Sequence, residues 1–216
     1  MFTDRRDAGQ RLAKRLAHSI PSDAIVLALP RGGVVLGYEI ATRLDLPLDI
    51  VTVRKIGLPG NPEFAVGAVD ERGTTLLDQD RIVGIDARWL KRETAVQKQE
   101  AQRRARLYRG TREALELKNK TALLVDDGVA TGLSMRLAVQ VVRAQGAKRV
   151  VIAVPVATED SIHLLASSVD EVVVLASAED FLGAVGLHYI HFDQVEDDEV
   201  IRLLESAYAS RRSDLA

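Results

Sequence analysis

Short apolar runs alternate with longer amphipathic stretches along this chain. The five runs lie at residues 25–29, 50–53, 122–125, 150–154 and 171–175. They are rich in β-branched residues and nearly free of polar ones, as strands covered on both faces of a parallel sheet are. Apolar residues at helical spacing predict helices over residues 34–44, 133–145 and 159–167. The alternation predicts an α/β fold, with a mostly parallel central sheet and helices on both of its faces.

One segment in the middle of the chain breaks this alternation. Residues 88–113 carry nine Lys and Arg against three Glu and contain no strand pattern. We expect a long helical insertion over about 78–118. It either is a solvated helix that lies across the sheet edge or pairs with a second subunit, or it attracts a polyanion. The core of a single domain would then lie at about 22–75 and 119–177.

The C-terminal segment, residues 178–216, holds most of the late aromatic residues and is expected to form a hood over the core. A final helix is predicted to begin at the acid cluster of residues 196–199, because carboxylates are favourable at the positive end of a helix dipole.

Composition excludes several classes of protein. The 216 residues include 29 Lys and Arg against 31 Asp and Glu, so no overall positive charge draws the chain to nucleic acid or to anionic lipid. The chain has no cysteine, which excludes disulfide bonds, thiolate nucleophiles and Cys-based zinc sites. Its charged, amphipathic start is typical of neither a signal peptide nor a membrane anchor, so we expect a cytoplasmic protein.

The clearest chemical pattern is Leu123-Leu-Val-Asp-Asp-Gly-Val-Ala-Thr-Gly-Leu-Ser134. A buried strand ends at Asp126 and Asp127, and a turn between Gly128 and Gly132 then opens a helix. Ligands bind at this edge of an α/β sheet, and the free amides at a helix start suit a phosphate group. The paired carboxylates can accept hydrogen bonds from vicinal sugar hydroxyls, so the pattern predicts a site for ribose 5-phosphate.

The segment VDDGVATG resembles the phosphoribosyl pyrophosphate (PRPP) motif of the type I phosphoribosyltransferases. The resemblance implies that Asp126 and Asp127 hold the ribose hydroxyls and that the following loop binds the 5-phosphate. The loop residues so implied are Gly128, Val129, Ala130, Thr131, Gly132 and Ser134. A response-regulator receiver domain also has an acid pair after an apolar strand, but there the pair follows the first strand, whereas three strands precede it here.

A second segment, Leu29-Pro-Arg-Gly-Gly33, follows the first strand, where these enzymes bind pyrophosphate through backbone amides. The resemblance therefore assigns Gly32 and Gly33 to pyrophosphate, and Arg31 would add charge-assisted hydrogen bonds. The same Gly-Gly pair is also typical of an ordinary turn between a strand and a helix.

Residues 53–67 resemble the Arg-Lys…Leu-Pro-Gly stretch that opens the mobile catalytic loop of adenine phosphoribosyltransferases. The density of Pro and Gly predicts a polar loop acting as a lid. Arg54 or Lys55 would reach the departing pyrophosphate once the lid closes. The alternative is a surface charge pair at the end of a strand.

Near the C terminus, residues 181–189 resemble the segment of hypoxanthine-guanine phosphoribosyltransferases in which a Phe stacks on the purine. The resemblance implies that Phe181 stacks on the base, and a buried structural Phe is the alternative. His188 stands where that family has an Asp that helps to hold magnesium, so we predict no firm direct metal ligand. Mg²⁺ is expected as the cofactor all the same, bound mainly by oxygens of substrate and water.

The chain departs from both families at the residue that would move a proton. Ala130 stands where the hypoxanthine-guanine enzymes have an Asp, and Gly67 where the adenine enzymes have a lid Glu, with Glu63 as a nearby substitute. The whole pattern is most similar to small stand-alone bacterial phosphoribosyltransferase-like proteins, for which the accepting base is not defined.

The resemblance implies a homo-oligomeric enzyme that transfers ribose 5-phosphate from PRPP to a nitrogenous base and releases pyrophosphate. One alternative is a regulatory protein that keeps the pocket to sense PRPP or a nucleotide and binds RNA through the basic helix at residues 88–113. Another is a sugar-phosphate-binding hydrolase or phosphorylase of the same fold.

Overall fold

The computed structural model describes residues 1–176 and 178–213, without the side chains of residues 63, 178 and 211–213. The helices are α1 (Arg5–Leu16), α2 (Gly32–Leu44), α3 (Ala87–Arg109), α4 (Leu133–Ala144), α5 (Glu159–Ala166) and α6 (Asp197–Ser213). The strands are β1 (Ile25–Ala28), β2 (Leu48–Ile50), β3 (Val53–Leu58), β4 (Asn61–Asp70), β5 (Thr75–Leu77), β6 (Thr121–Val125), β7 (Arg149–Val154) and β8 (Glu171–Val174).

A five-stranded parallel sheet in the order β2-β1-β6-β7-β8 forms the core. Its central strands are covered on both faces. Side chains that are neighbours along one strand pack into different hydrophobic clusters, one on each face of the sheet. Leu123 packs with Leu12 and Leu36 of α1 and α2, whereas Leu124 packs with Leu137 of α4. These contacts confirm the predicted α/β fold, with helices on both sides of a parallel sheet.

The predicted lid is instead a β-hairpin. β3, β4 and β5 form a separate three-stranded antiparallel sheet, and the two residues Pro59 and Gly60 connect β3 to β4. Gly60 has a φ of +77°, which such a turn favours. The apolar run at residues 50–53 is also not one strand, because β2 ends at Ile50 and β3 starts in the other sheet.

The helical insertion is one continuous helix, α3, which contacts the hairpin strands β3 and β4 and the last helix α6. Its C-terminal end is fixed by Arg109, whose guanidinium pairs with Asp49 at 2.9 Å and with Glu71 at 2.8 Å. Arg109 also donates to the carbonyl of Ile50 at 2.7 Å. These bonds tie α3 to the end of β2 and to the hairpin.

The C-terminal segment lies against the N terminus and α2. Phe2 pairs with Tyr189 in a parallel bridge, and α6 packs on α2. The last helix begins at Asp197, as the acid cluster predicted. None of the described helices combines the length and the apolar character needed to cross a bilayer.

Candidate functional site

The loop after β6 presents free backbone amides to a cavity of about 230 Å³. Within the described residues, no acceptor is found for the amides at positions 130–134, nor for the hydroxyls of Thr131 and Ser134. Lys55 and Val185 complete the cavity wall around the loop. The loop therefore presents several hydrogen-bond donors without acceptors at the N-terminal end of α4. Such a group of donors is suited to binding an anion.

Hydrogen bonds from the neighbouring connection hold this loop in place. Thr158 Oγ1 and Ser161 Oγ both donate to the carbonyl of Ala130, at 2.9 and 2.7 Å. The Val129 amide donates to the carbonyl of Val156 at 2.9 Å. Gly132 has a φ of +71°, a conformation that side-chain-bearing residues rarely adopt. The carbonyls of Val129 and Ala130 are thus directed to the start of α5, on the side of the loop away from the free amides.

The two aspartates at the end of β6 have different surroundings. Asp127 Oδ2 accepts from Arg5 Nε at 2.8 Å, and the main-chain carbonyl of Asp127 accepts from the Tyr189 hydroxyl at 2.6 Å. Asp126 has no salt-bridge partner among the described residues, and its Oδ1 accepts from the Asp127 amide at 2.9 Å. Burial raises the pKa of Asp126 well above its ordinary value, and the charge of Asp127 adds to the increase, while the charges of Lys55 and Arg5 oppose it.

The loop between β1 and α2 lies directly against these aspartates. A Cβ on Gly32 would come within 1.9 Å of Asp127 Oδ2, and one on Gly33 within 2.7 Å of the Val125 carbonyl. Only glycine permits so close an approach. The predicted pyrophosphate loop and the predicted ribose site are therefore adjacent in space.

Arg31 does not point into the site. Its Nη1 lies 3.6 Å from Asp197 Oδ1 and 3.8 Å from Glu196 Oε2, at the start of α6. Asp197 also accepts a hydrogen bond from the Tyr108 hydroxyl at 2.6 Å. The acid cluster thus attracts Arg31 as well as favouring the helix start, and the role of Arg31 at pyrophosphate stays a prediction.

A second cavity, of about 430 Å³, adjoins the first and shares Lys55, Asp126 and Ser134 with it. The β1–α2 loop, strand β3 and helix α3 form its walls. Arg54 and Arg104 add two further cations to the lining. Arg54 and Lys55, predicted to bind pyrophosphate, therefore lie beside Asp126 even though their segment is a strand and not an open loop.

Phe181 is not among the residues that line either cavity. Its ring centroid lies 5.3 Å from that of His188, and the Leu182 amide donates to His188 Nε2 at 3.0 Å. Burial lowers the pKa of His188, consistent with a neutral imidazole that accepts this bond. His188 therefore orders the C-terminal segment, and stacking of Phe181 on a base stays a prediction.

The structure closes the lid position Gly67 to a proton-transfer side chain and does not describe the side chain of its proposed substitute, Glu63. Gly67 lies within β4, where a Cβ would come within 2.6 Å of Leu77 Cδ2, so no larger side chain fits there without displacing β5. The side chain of Glu63 lies outside the described part of the structure.

Sequence reasoning missed five residues around the site. Arg5 donates a hydrogen bond to Asp127, which is 122 positions away in the sequence. Ser161 donates one to the carbonyl of Ala130, which is 31 positions away. Gln97 and Arg104 belong to the basic segment, whose pattern does not say which face meets the protein. Only Thr158 had a signal that could be recognised, as the N-cap of the helix that follows it.

Comparisons with known proteins agree with this geometry. The family described as "Phosphoribosyl transferase domain" matches residues 6–189. The chain is 44% identical over 210 residues to a Mycobacterium tuberculosis (strain H37Rv) protein named "Putative phosphoribosyl transferase Rv0571c", an alignment that covers 96% of this chain and 47% of that protein. A protein of strain CDC 1551 gives the same figures. The chain thus spans about half the length of the curated relatives it matches.

Among solved structures, the crystal structure of TT1426 from Thermus thermophilus is similar over nearly the whole chain. It has a TM-score of 0.80 and 46% sequence identity, and the alignment covers 95% of this chain and 98% of that one. Together with the family match and the VDDGVATG loop, this likeness identifies the chain as a member of the type I phosphoribosyltransferase family.

Proposed function

We propose that this protein transfers ribose 5-phosphate from PRPP to a nitrogen of a base and releases pyrophosphate. The observation that supports this best is that two cavities with different anion donors meet at Asp126. PRPP carries a phosphate at one end of its ribose and a pyrophosphate at the other. A loop of free amides on one side and a group of cations on the other match these two ends.

In this proposal each part of PRPP has its own partners. The 5-phosphate binds the amides of residues 130–134, and the ribose hydroxyls donate to Asp126 and Asp127. The pyrophosphate lies between the Gly32–Gly33 amides and the side chains of Arg54 and Lys55. Arg31 joins this group only if its guanidinium leaves Asp197.

Catalysis would depend on position and on charge. The base nitrogen forms a bond to the anomeric carbon while the bond to pyrophosphate breaks, and the electron pair of that bond leaves with the pyrophosphate. Lys55 and Arg54 stabilise the negative charge that develops there, and the loop amides hold the sugar in line for attack.

The carboxylates present fit a magnesium ion that is held mainly by the substrate. Asp126 and Asp127 offer oxygen donors, as Mg²⁺ prefers, and no third His, Cys, Asp or Glu joins them within the described residues. These two side chains would hold the ion through hydroxyl or water oxygens, and the ion would neutralise part of the pyrophosphate charge.

The experiment is to incubate the protein with PRPP, Mg²⁺ and single purines, pyrimidines or nicotinate, and to identify any nucleotide by mass spectrometry. We expect one base class to give a nucleotide and stoichiometric pyrophosphate, and Asp126→Asn to give none while it keeps its circular dichroism spectrum. PRPP binding in calorimetry without product for any base would favour the regulatory alternative. Absence of PRPP binding would contradict both.

A further inference from the structure

The long helix α3 forms one wall of the larger of the two cavities, and one of its side chains forms a hydrogen bond with Arg54. Arg54 is partly buried and forms no salt bridge among the described residues, although the charge of Glu100 acts on it from a greater distance. Its Nε donates instead to Gln97 Oε1 of α3 at 3.2 Å. The Gln97 amide nitrogen in turn donates to Glu93 Oε1 at 2.8 Å, which fixes the amide so that its oxygen faces Arg54. The uncharged Gln97 thus holds Arg54, while Glu93 and Asp126 are the carboxylates that line the same cavity.

A second guanidinium lies in the same wall, two helical turns beyond Gln97. Arg104 Nε donates to Glu100 Oε1 at 2.8 Å, but its two Nη nitrogens have no acceptor within the described part of the chain. The Nη nitrogens of Arg54 likewise have no acceptor among the residues that the structure describes. Burial lowers the pKa of Arg54, and repulsion by the positive charge of Arg104 lowers it further, while the negative charge of Glu100 opposes the decrease.

Arg54 and Arg104 repel each other, so an anion bound between them would be attracted by both charges. Arg54 and Arg104 leave four terminal nitrogens for such an anion, and Lys55 adds a third positive charge to the lining. Planar guanidinium groups form paired hydrogen bonds with phosphate oxygens. One basic residue of α3, Arg104, therefore has a local explanation at this cavity.

We propose that α3 completes the pyrophosphate side of the site, where Arg104 binds the anion together with Arg54 and Gln97 is the positioning residue for Arg54. This inference rests on the proposed function and extends it to a helix outside the PRPP motif. It also assigns part of the basic segment to a small anion and not to RNA.

The neighbouring residue Arg103 provides a matched control. Arg103 and Arg104 carry the same charge, lie on the same helix and both pair with Glu100, but Arg103 is exposed and does not line the cavity. We expect Arg104→Ala to weaken binding of pyrophosphate with Mg²⁺ about tenfold in calorimetry and to leave binding of ribose 5-phosphate within twofold of the wild type. Arg103→Ala should change neither affinity by more than about twofold.

The positioning role of Gln97 is tested by a double-mutant cycle. We expect Gln97→Leu to weaken pyrophosphate binding several-fold, and the exposed-face control Gln99→Leu to have no effect. In the Arg54→Ala background, Gln97→Leu should cause no further loss, because there is then no guanidinium to position. A merely structural role for Gln97 would give the same loss in both backgrounds and would contradict this assignment.

Wild-type pyrophosphate affinity in Arg104→Ala, or an equal loss in Arg103→Ala, would overturn the inference, and the second result would indicate general attraction of polyanions such as RNA. If the wild type bound pyrophosphate but neither PRPP nor ribose 5-phosphate, the proposed function would fail, while the Arg104 and Arg103 variants would still decide the role of α3. Absence of pyrophosphate binding by the wild type would contradict the inference as well.

Discussion

The two cavities that meet at Asp126 offer hydrogen-bond donors of different kinds. The loop at residues 128–134 offers backbone amides whose directions are set by bonds from Thr158 and Ser161 to the Ala130 carbonyl. The opposite wall offers long side chains from β3 and α3, where Arg54 bonds to Gln97 and Arg104 bonds to Glu100. Amides in a supported loop lose little entropy on binding, whereas long cationic side chains must be ordered. We therefore expect the loop to bind the 5-phosphate in a fixed geometry. Binding of pyrophosphate at the cationic wall should be more adjustable and more sensitive to salt concentration.

The largest effect is expected from a change that distorts the loop. Gly132→Val places a β-branched residue at a φ of +71° and turns the neighbouring amides away from the cavity. We expect ribose 5-phosphate affinity to fall by about two orders of magnitude, with pyrophosphate affinity nearly unchanged. Gly146→Val is the matched control, since Gly146 has a φ of +83° at the other end of α4. It should lower thermal stability but leave both affinities intact, and an equal loss of ribose 5-phosphate binding there would contradict the role of the loop.

Substitution of Lys55 is expected to weaken the binding of both ligands, though less than the loop variant weakens one, because this side chain lines both cavities. Lys55→Ala should weaken ribose 5-phosphate and pyrophosphate about tenfold each, as measured by calorimetry at constant salt. Lys98→Ala removes the same charge from α3 outside the two linings and serves as the control. A loss confined to one ligand would place Lys55 on one wall only.

The two aspartates should affect stability in opposite directions. Asp127→Asn removes the charge that faces Arg5, and we expect the free energy of unfolding to fall by about 1 kcal/mol, or roughly 2–4 °C in Tm. Asp126→Asn should raise stability at neutral pH. The raised pKa of Asp126 means that the native state binds its proton more tightly, so stability falls as pH rises through the titration, and an amide avoids this loss.

Both variants should still bind PRPP more weakly than the wild type, since each removes a carboxylate that accepts from the sugar. Thermal unfolding and PRPP titration of the same samples test the two effects together. Equal destabilisation by both substitutions would contradict the different surroundings assigned to the two side chains.

The smallest effect is a shift in the pH dependence of sugar binding. Ionised Asp126 accepts from the ribose, so ribose 5-phosphate affinity should fall on acidification, beginning above the pH range of an ordinary carboxyl group. Because the charge of Asp127 helps to raise the pKa of Asp126, this fall should move to lower pH in Asp127→Asn. Affinity profiles measured between pH 4 and 8 would show it, and identical profiles would contradict a coupling between the two groups.

The core of the fold was predictable because its signals are local. Strands such as β6 and β7 are unbroken β-branched runs, and the helix after Gly132 follows from apolar spacing alone. The hairpin was missed because Pro59 and Gly60, a tight turn between two strands, were interpreted as part of a flexible loop. The alternation on either side of that turn is interrupted by bulges next to Gly57.

The candidate site was predictable only where one short segment contains it. The motif at residues 123–134 contains the end of a strand, a turn and a helix start, so its position followed from the sequence. The contact of Arg5 with Asp127, and that of Gln97 with Arg54, join distant segments through side-chain contacts that no local pattern encodes. The same limit applies to Arg31, whose partner Asp197 lies in the last helix.

The most direct test of the account is a crystal structure of the protein with PRPP and Mg²⁺. We predict the 5-phosphate oxygens at about 2.7–3.1 Å from the amides of residues 130–134, and the pyrophosphate beside Arg54, Lys55 and Arg104. A sugar phosphate bound with its 5-phosphate among the cations and the loop amides still free would contradict the account.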